Sequence, residues 1–173
     1  FYNLPGGAAG GASDSKMPDM QAGWEQMCSN VMAGLSGLNM VYEAAGMHAS
    51  LLGFCLESLI LSDDIIGQAL RCVRGIEVTD ETLALDQIAQ VCMGGPGHYL
   101  GEDQTLKRMQ SDYVYPTLGD RTSPKEWVEL GKPNLLEKAT KRKEEILSER
   151  SEAIFDHQLD TSLRKKHKIH LPI

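Results

Sequence analysis

The stretch PGGAAGGASDSK, Pro5–Lys16, places four glycines within six residues, follows them with small polar side chains, and runs straight into an amphipathic segment. Three readings compete, and each makes demands on its neighbours. A phosphate-binding P-loop needs Gly-Lys-Ser or Gly-Lys-Thr, whereas Lys16 stands between Ser15 and Met17. The dinucleotide fingerprint Gly-x-Gly-x-x-Gly is not supplied by GGAAGG. A free linker does not fit either, because an apolar-periodic helix and a strand-like run follow at once. What remains is a loop above the end of a strand. There, missing Cβ atoms either make room for a ligand or meet a purely conformational need of the backbone.

Outward from that loop, FYNL (Phe1–Leu4) is a short β-prone run, strand-like at Tyr2–Leu4 and readable as the end of a strand that begins upstream. Pro18 opens a helix in which Met20, Trp24, Met27, Val31 and Leu35 recur at spacings of four and three. That stripe is read as the core face, with Trp24 packed between helix and sheet. Gly34 and Gly37 close the helix, and LNMVYEA (Leu38–Ala44) reads as a second strand. The runs Tyr2–Leu4 and Leu38–Tyr42 are expected to lie parallel and adjacent, with the glycine loop, Tyr42, Glu43 and His48 gathered at one end. AGMHASLLG (Ala45–Gly53) reads as a loop or a short irregular helix.

Helical signals dominate the remainder. Cys55–Leu61 is one segment, and Ser62 caps a second that runs to Arg74 with Asp63 and Asp64 at its positive end. Thr79 caps a helix containing Leu83, Ala84, Leu85, Ile88, Ala89 and Val91, before a glycine-rich interruption at residues 94–97. Further helices are expected over Asp103–Asp112, Pro124–Leu130 and Asn134–Glu149. The last is charged, with a thin apolar stripe that suits the outside of a larger body.

Strands each followed by a helix predict α/β architecture with parallel βα units. The division read is 1–120 for βα units of a TIM-type barrel and 121–173 for a helical extension with a basic tail. Two strands alone leave sheet edges open, which predicts aggregation or pairing with other chains, hence a homo-oligomer.

With 173 residues, 42% hydrophobic and 24% charged, the composition is that of an ordinary globular protein. A net charge of −7 disfavours broad nucleic-acid binding. The basic end LRKKHKIHLPI lacks interleaved aromatic platforms and reads as a solvated terminus. No apolar run approaches the roughly 18–20 residues of a membrane span, so no membrane partner is expected. Nor do the opening residues read as a basic-then-apolar leader. Cys28, Cys55, Cys72 and Cys92 form no CxxC pair and suit a reducing cytoplasm. His48, His98 and His157 are isolated, and His167 with His170 is a weak pair in the tail, so no metal site is read.

Several ordered segments carry a family resemblance. DSKMPDMQAGWE (Asp14–Glu25), GLNMVYEAAGM (Gly37–Met47), ESLILSDDIIG (Glu57–Gly67) and RGIEVTDETLALDQI (Arg74–Ile88) resemble the C-terminal part of the trimethylamine methyltransferase family. GGPGHYLGEDQTLKRM (Gly94–Met109) and PTLGDR (Pro116–Arg121) continue the likeness in order, to about Leu159. It implies a TIM-type (β/α)8 barrel, of which this is the C-terminal portion. It also implies transfer of a methyl group from a methylated amine to the Co(I) of a corrinoid (cobalamin) carried by a partner protein and not bound tightly by this chain. Some family members contain pyrrolysine, and others act on quaternary amines such as glycine betaine. No non-standard residue occurs here, which inclines the reading towards a quaternary amine while the branch stays open.

A quaternary ammonium has no lone pair, so neither metal coordination nor deprotonation activates it. Alignment and exclusion of water are what its transfer to a nucleophilic Co(I) requires. Its diffuse charge calls for aromatic faces and carboxylates. The candidate substrate-binding residues are therefore Tyr42, Glu43, His48, Glu57, His98 and Tyr99, with Gly10, Gly11 and Asp14 in the loop; Tyr2 and Phe54 are further aromatics near strand ends. No catalytic residue is assigned. Tyr42 is more often core than cage, Glu57 in its apolar run needs a partner or an exposed face, and His98 suits a carboxylate donor or a loop support. Alternatives of another class are a non-catalytic amine-binding or assembly module and a barrel enzyme of unrelated chemistry.

Overall fold

A computed structural model describes residues 4–149 and 156–169. The chain forms two compact units, 1–143 and 144–173. Residues 121–143 fall in the first unit.

The first unit opens with a parallel β-α-β element: β1 (Gly7–Ala9), α1 (Met20–Leu35) and β2 (Met40–Tyr42), with Gly7 opposite Met40 and Ala9 opposite Tyr42. The parallel pair joined by one helix is as expected, but its first strand lies within the glycine-rich stretch. Of the run Tyr2–Leu4, Leu4 is outside any strand, and the rest lies outside the described residues. Gly and Ala have little intrinsic strand preference, so pairing decides it. The Gly6 carbonyl accepts from the backbone N–H of Asn39 (2.9 Å), and Gly10 N–H reaches the Tyr42 carbonyl (3.0 Å).

Beyond β2, a hairpin pairs β3 (Met47–His48) with β4 (Gly53–Phe54) where a loop or irregular helix was expected. Its turn holds Ala49, Ser50 and Leu51 at φ of 51°, 54° and 71°. Three successive non-glycine residues in this region cost of order 1–2 kcal/mol each. They persist because the glycine loop holds them: Ala49 N–H donates to the Ser15 carbonyl (2.9 Å) and Ser50 N–H to that of Ser13 (3.2 Å).

The core face of α1 is a correction to the sequence reading. Asp19, not Pro18, caps the helix, accepting from Ala22 N–H at 3.0 Å. The buried positions are Ala22, Gln26, Asn30 and Ala33, whereas Met20 is 81% and Trp24 58% exposed. Large side chains usually drive burial, which is why the apolar stripe reads as the interior face. Here small side chains let α1 approach α2 (Leu56–Arg74) closely, and a Cβ on Gly34 would stand 2.4 Å from Val73 Cγ2. The polar members of that face bind loop backbone.

Helix α2 is continuous where two segments were expected. Ser62 lies fully buried in its middle and donates back to the Ser58 carbonyl at 2.6 Å, so it caps nothing. Asp64 fastens another segment, accepting from Thr117 N–H (2.7 Å), Thr117 Oγ1 (2.9 Å), Leu118 N–H (2.8 Å) and Gly119 N–H (3.1 Å). Burial opposes its charge, but the backbone donors of Thr117, Leu118 and Gly119 outweigh that and hold the carboxyl below the ordinary value of 3.8.

Thr79 caps as expected, but Ala84 at φ 52° divides its helix into α3 (Asp80–Leu83) and α4 (Leu85–Cys92). Then follow α5 (Asp103–Ser111), α6 (Pro124–Glu129) behind a Ser123/Glu126 capping box, and α7 (Leu135–Ser148), near their expected bounds. In the second unit, α8 (His157–His167) is capped by Asp156, so the basic end is helical as far as His167. Its Arg164, Lys165, Lys166 and His167 stand in the last turn, where cations are favoured. His170 lies outside the described residues. No helix among the described residues is long and apolar enough to cross a membrane.

Two predictions follow from this packing. A Cβ on Gly11 (φ +72°) would lie 2.0 Å from the Ala44 carbonyl oxygen, whereas one on Gly37 (φ +73°) meets nothing within 4 Å. Gly11→Ala is therefore expected to destabilise the intact protein by more than about 2 kcal/mol in denaturant unfolding, and Gly37→Ala by about 1 kcal/mol. The second concerns acid. Because the folded-state pKa of Asp64 is depressed, its contribution is complete above the unfolded value and disappears as pH falls through the folded one. Asp64→Asn should flatten the loss of stability below about pH 4, read from urea midpoints across an acid series.

Candidate functional site

At the carboxyl end of β1 and β2, two loops run side by side: residues 10–16 and residues 43–54. Ser13 N–H donates to the Met47 carbonyl (3.2 Å), and Ser50 Oγ donates to Asp14 Oδ1 (2.5 Å). Gly10, Asp14, Tyr42, Glu43 and His48 are thus brought to one end of the sheet.

One polar face of α1 secures both loops. Glu25 Oε2 accepts from Ser13 Oγ (2.6 Å) and Asp14 N–H (2.9 Å), while its Oε1 accepts from Gln21 Nε2 (2.9 Å). The Ser13 hydroxyl, then Gln21 and the Asp14 amide, hold the Glu25 carboxyl below the usual range. Ser29 Oγ accepts from Gly11 N–H at 2.9 Å. Asn30 Nδ2 donates to the Ala44 carbonyl (3.1 Å), and Gln26 Nε2 to that of Met47 (3.4 Å). From α2, Ser62 Oγ accepts from Gly46 N–H at 3.2 Å, with Gln26 Oε1 3.1 Å away.

The glycines act within the chain. A Cβ on Gly10 would meet Val41 Cγ1 at 2.8 Å, and one on Gly11 would strike Ala44 and Asn30. The room freed at Gly10 and Gly11 is occupied by the protein itself, not left for a ligand. Gly46 likewise carries the Phe54 ring, whose Cε2 would lie 2.6 Å from an added Cβ.

The other candidates have diverse environments. Tyr42 (47% exposed) and Phe54 (56%) present aromatic surface, and Glu43 (φ 60°) and Asp14 are exposed. His48 is buried; its Nε2 lies 2.6 Å from Ser58 Oγ, and its Nδ1 has no hydrogen-bond partner among the described residues. Of the two readings of Glu57, a partner or an exposed helix face, the structure has the partner. Lys143 Nζ donates to Glu57 at 2.6 Å and the Cys55 thiol at 3.3 Å, and the Lys143 bond foremost lowers its carboxyl to about 2. That carboxylate fastens α7 to α2. His98 and Tyr99 stand in the loop between α4 and α5, where Tyr99 Oη lies 3.4 Å from Cys92 Sγ. No hydrogen bond among the described residues joins them to the loops bearing Gly10 and His48.

Sequence reasoning missed Glu25, Gln26, Ser29, Asn30, Ser58 and Ser62. Their signal was present as polar residues at helical spacing on α1 and an i, i+4 serine pair on α2, but larger apolar residues on α1 drew the assignment of the buried face.

Depressions among the described residues elsewhere in the first unit include two of note. One of about 590 Å³ is lined in part by Arg71, Arg74 and Arg108. Arg74 donates to the Ser111 carbonyl and Arg71 to that of Asp112, the free end of α5, while Arg108 pairs with Glu81 (3.2 Å) and Asp112 (3.5 Å). The other, of about 670 Å³, is an apolar groove between α1, α2 and residues 116–121, flanked by Trp24, Leu61, Ile65 and Pro116. Among the described residues no three His, Cys, Asp or Glu side chains converge to hold a metal ion.

Comparison with known proteins places these features in a family. Residues 1–168 match the model of the trimethylamine methyltransferase (MTTB) family. The glycine betaine methyltransferase of Desulfitobacterium hafniense (strain Y51) is 32% identical over 164 residues, covering 95% of this chain and 34% of that protein. The trimethylamine methyltransferase MttB of Methanosarcina barkeri (strain Fusaro / DSM 804) is 36% identical over 148 residues, covering 85% of this chain and 29% of its own length. The chain spans about a third of the length of the curated relatives it matches. With its match extending over nearly every residue, the chain belongs to the trimethylamine methyltransferase family.

Proposed function

We propose that the intact protein transfers a methyl group from a methylated amine to the Co(I) of a corrinoid carried by a partner protein, and that this chain is a C-terminal portion of a TIM-type barrel. The observation that carries the reading is the family match over residues 1–168. The relatives' names supply the substrate class, glycine betaine or trimethylamine, and a quaternary amine is the preferred member. Its C–N bond breaks with the electron pair left on nitrogen, releasing a neutral tertiary amine. The methyl carbon takes the electron pair of Co(I). No proton has to move, so the protein's work is to bind, align and exclude water.

The double loop supports this reading. Tyr42 and Phe54 offer aromatic surface, and Asp14 and Glu43 offer negative charge, at the end of a parallel strand pair where barrel enzymes gather their reactive loops. The exposed apolar residues Met20, Trp24 and Leu35 suit a chain that is completed by further barrel units.

With its corrinoid partner in the Co(I) state, the intact protein should discharge the Co(I) absorption on addition of glycine betaine. Tyr42→Ala should weaken amine binding by about 0.5–2 kcal/mol. Silence with both glycine betaine and trimethylamine, in the presence of an active partner, would defeat the assignment; response to trimethylamine alone would reverse only the amine preference. Residues 1–173 by themselves are expected to be inactive and to self-associate, because β1 and β2 leave sheet edges open. A monomeric, sharply unfolding fragment in light scattering and thermal melts would contradict that expectation.

A further inference from the structure

We infer that Glu25, a residue outside the amine-facing surface, is the positioning residue of the substrate loops; the inference rests on the reading that these loops meet the amine. Three observations point to it. Its carboxylate is the acceptor through which α1 holds Ser13 and Asp14, at 2.6 Å and 2.9 Å. Ser13 and its neighbours in turn hold the second loop. The Ser13 carbonyl accepts from Ser50 N–H, Ser13 N–H donates to the Met47 carbonyl, and the Ser15 carbonyl accepts from Ala49 N–H. The residues so held, Ala49 and Ser50, occupy a left-handed conformation that has little stability of its own.

The chemistry of the contact explains why a carboxylate stands there. One oxygen accepts two hydrogen bonds from adjacent loop residues, a hydroxyl and an amide, which fixes both the position and the direction of the chain at Asp14. Charge-assisted bonds of this kind are stronger than neutral ones. Asp14 then presents its own carboxylate to the Ser50 hydroxyl, closing the clasp from the opposite side. Removing Glu25 leaves Ser13, which is 3% exposed, without an acceptor and releases Ser13 and Asp14 from α1, while Gly11 stays bound to Ser29. A glutamine retains an acceptor oxygen, and its amide can face a flipped Gln21, so most of the clasp survives that change.

The test uses the intact protein and two readouts. Without amine, Glu25→Ala should speed hydrogen exchange at the Asp14, Ala49 and Ser50 amides by about 10-fold or more, with Glu25→Gln close to the parent. Ser13→Ala, which removes the hydroxyl donor to Glu25 together with the acceptor of Ser15 N–H, should speed exchange at Ala49 and Ser50 and serves if Glu25→Ala fails to fold. With glycine betaine and the corrinoid partner, Glu25→Ala should raise KM several-fold, with a smaller change in kcat. Unchanged exchange at Ala49 and Ser50 in both Glu25→Ala and Ser13→Ala would overturn the positioning role. Faster exchange with an unaltered KM would overturn it as well, since the loops would then move without consequence for the amine. If the parent protein turns over no methylated amine, the proposed function fails instead, independently of the exchange result.

Discussion

The arrangement at the end of the strand pair depends on the hydrogen bonds that one helix face makes to backbone. Glu25, Gln26, Ser29 and Asn30 reach four backbone groups across two loops, and no side chain of these loops has to be large for the contact to form. A buried backbone N–H or carbonyl left unpaired costs of order 1–3 kcal/mol, so every polar residue on that face closes a deficit that an apolar side chain would open. The glycines complete the arrangement. With Cβ atoms at Gly10 and Gly11, the loop could not lie against Val41 and Ala44 closely enough for the helix to reach it.

The same economy of means recurs in the carboxylates. Asp64 gathers the amides of Thr117, Leu118 and Gly119, Glu57 takes Lys143, and Glu25 takes Ser13 and Asp14. Each is held below the ordinary carboxylate range by hydrogen bonds, and each joins segments distant in sequence. A carboxylate fixed in its charged state by local donors is a fastener, not a proton carrier, near neutral pH. Asp14 and Glu43 are the exposed acidic groups of the double loop, and Asp14 also accepts from the Ser50 hydroxyl.

The outer stripe of α1 shows how burial is divided. Ala22 and Ala33 are enclosed while Met20, Trp24 and Leu35 face outwards. The inner face of α1 is limited by the closeness of α2, where Ser58, Ser62 and Ala69 are the buried counterparts. Large side chains cannot enter so narrow a gap without moving the helices apart and breaking the loop contacts. The apolar groove beside Trp24 is the consequence of that geometry.

The sequence by itself determined the family, a parallel β-α-β connection though not the place of its first strand, and the bounds of the later helices, because these follow from local patterns: ordered motifs, caps and breakers at short range. For Glu57 in FCLESLIL it left a partner and an exposed helix face open, and only the tertiary structure supplied Lys143, 86 residues away. Only the tertiary structure decided which face of α1 is buried. Periodicity marks a stripe but not its direction, and the choice was made by loop backbone groups that no pattern in α1 records. The turn at Ala49–Leu51 was equally hidden, because its residues gain their conformation from Ser13 and Ser15. The same holds for the glycine-rich stretch. Its composition called for close approach, but whether to a ligand or to Ala44 was settled by where β2 and α1 placed the second loop.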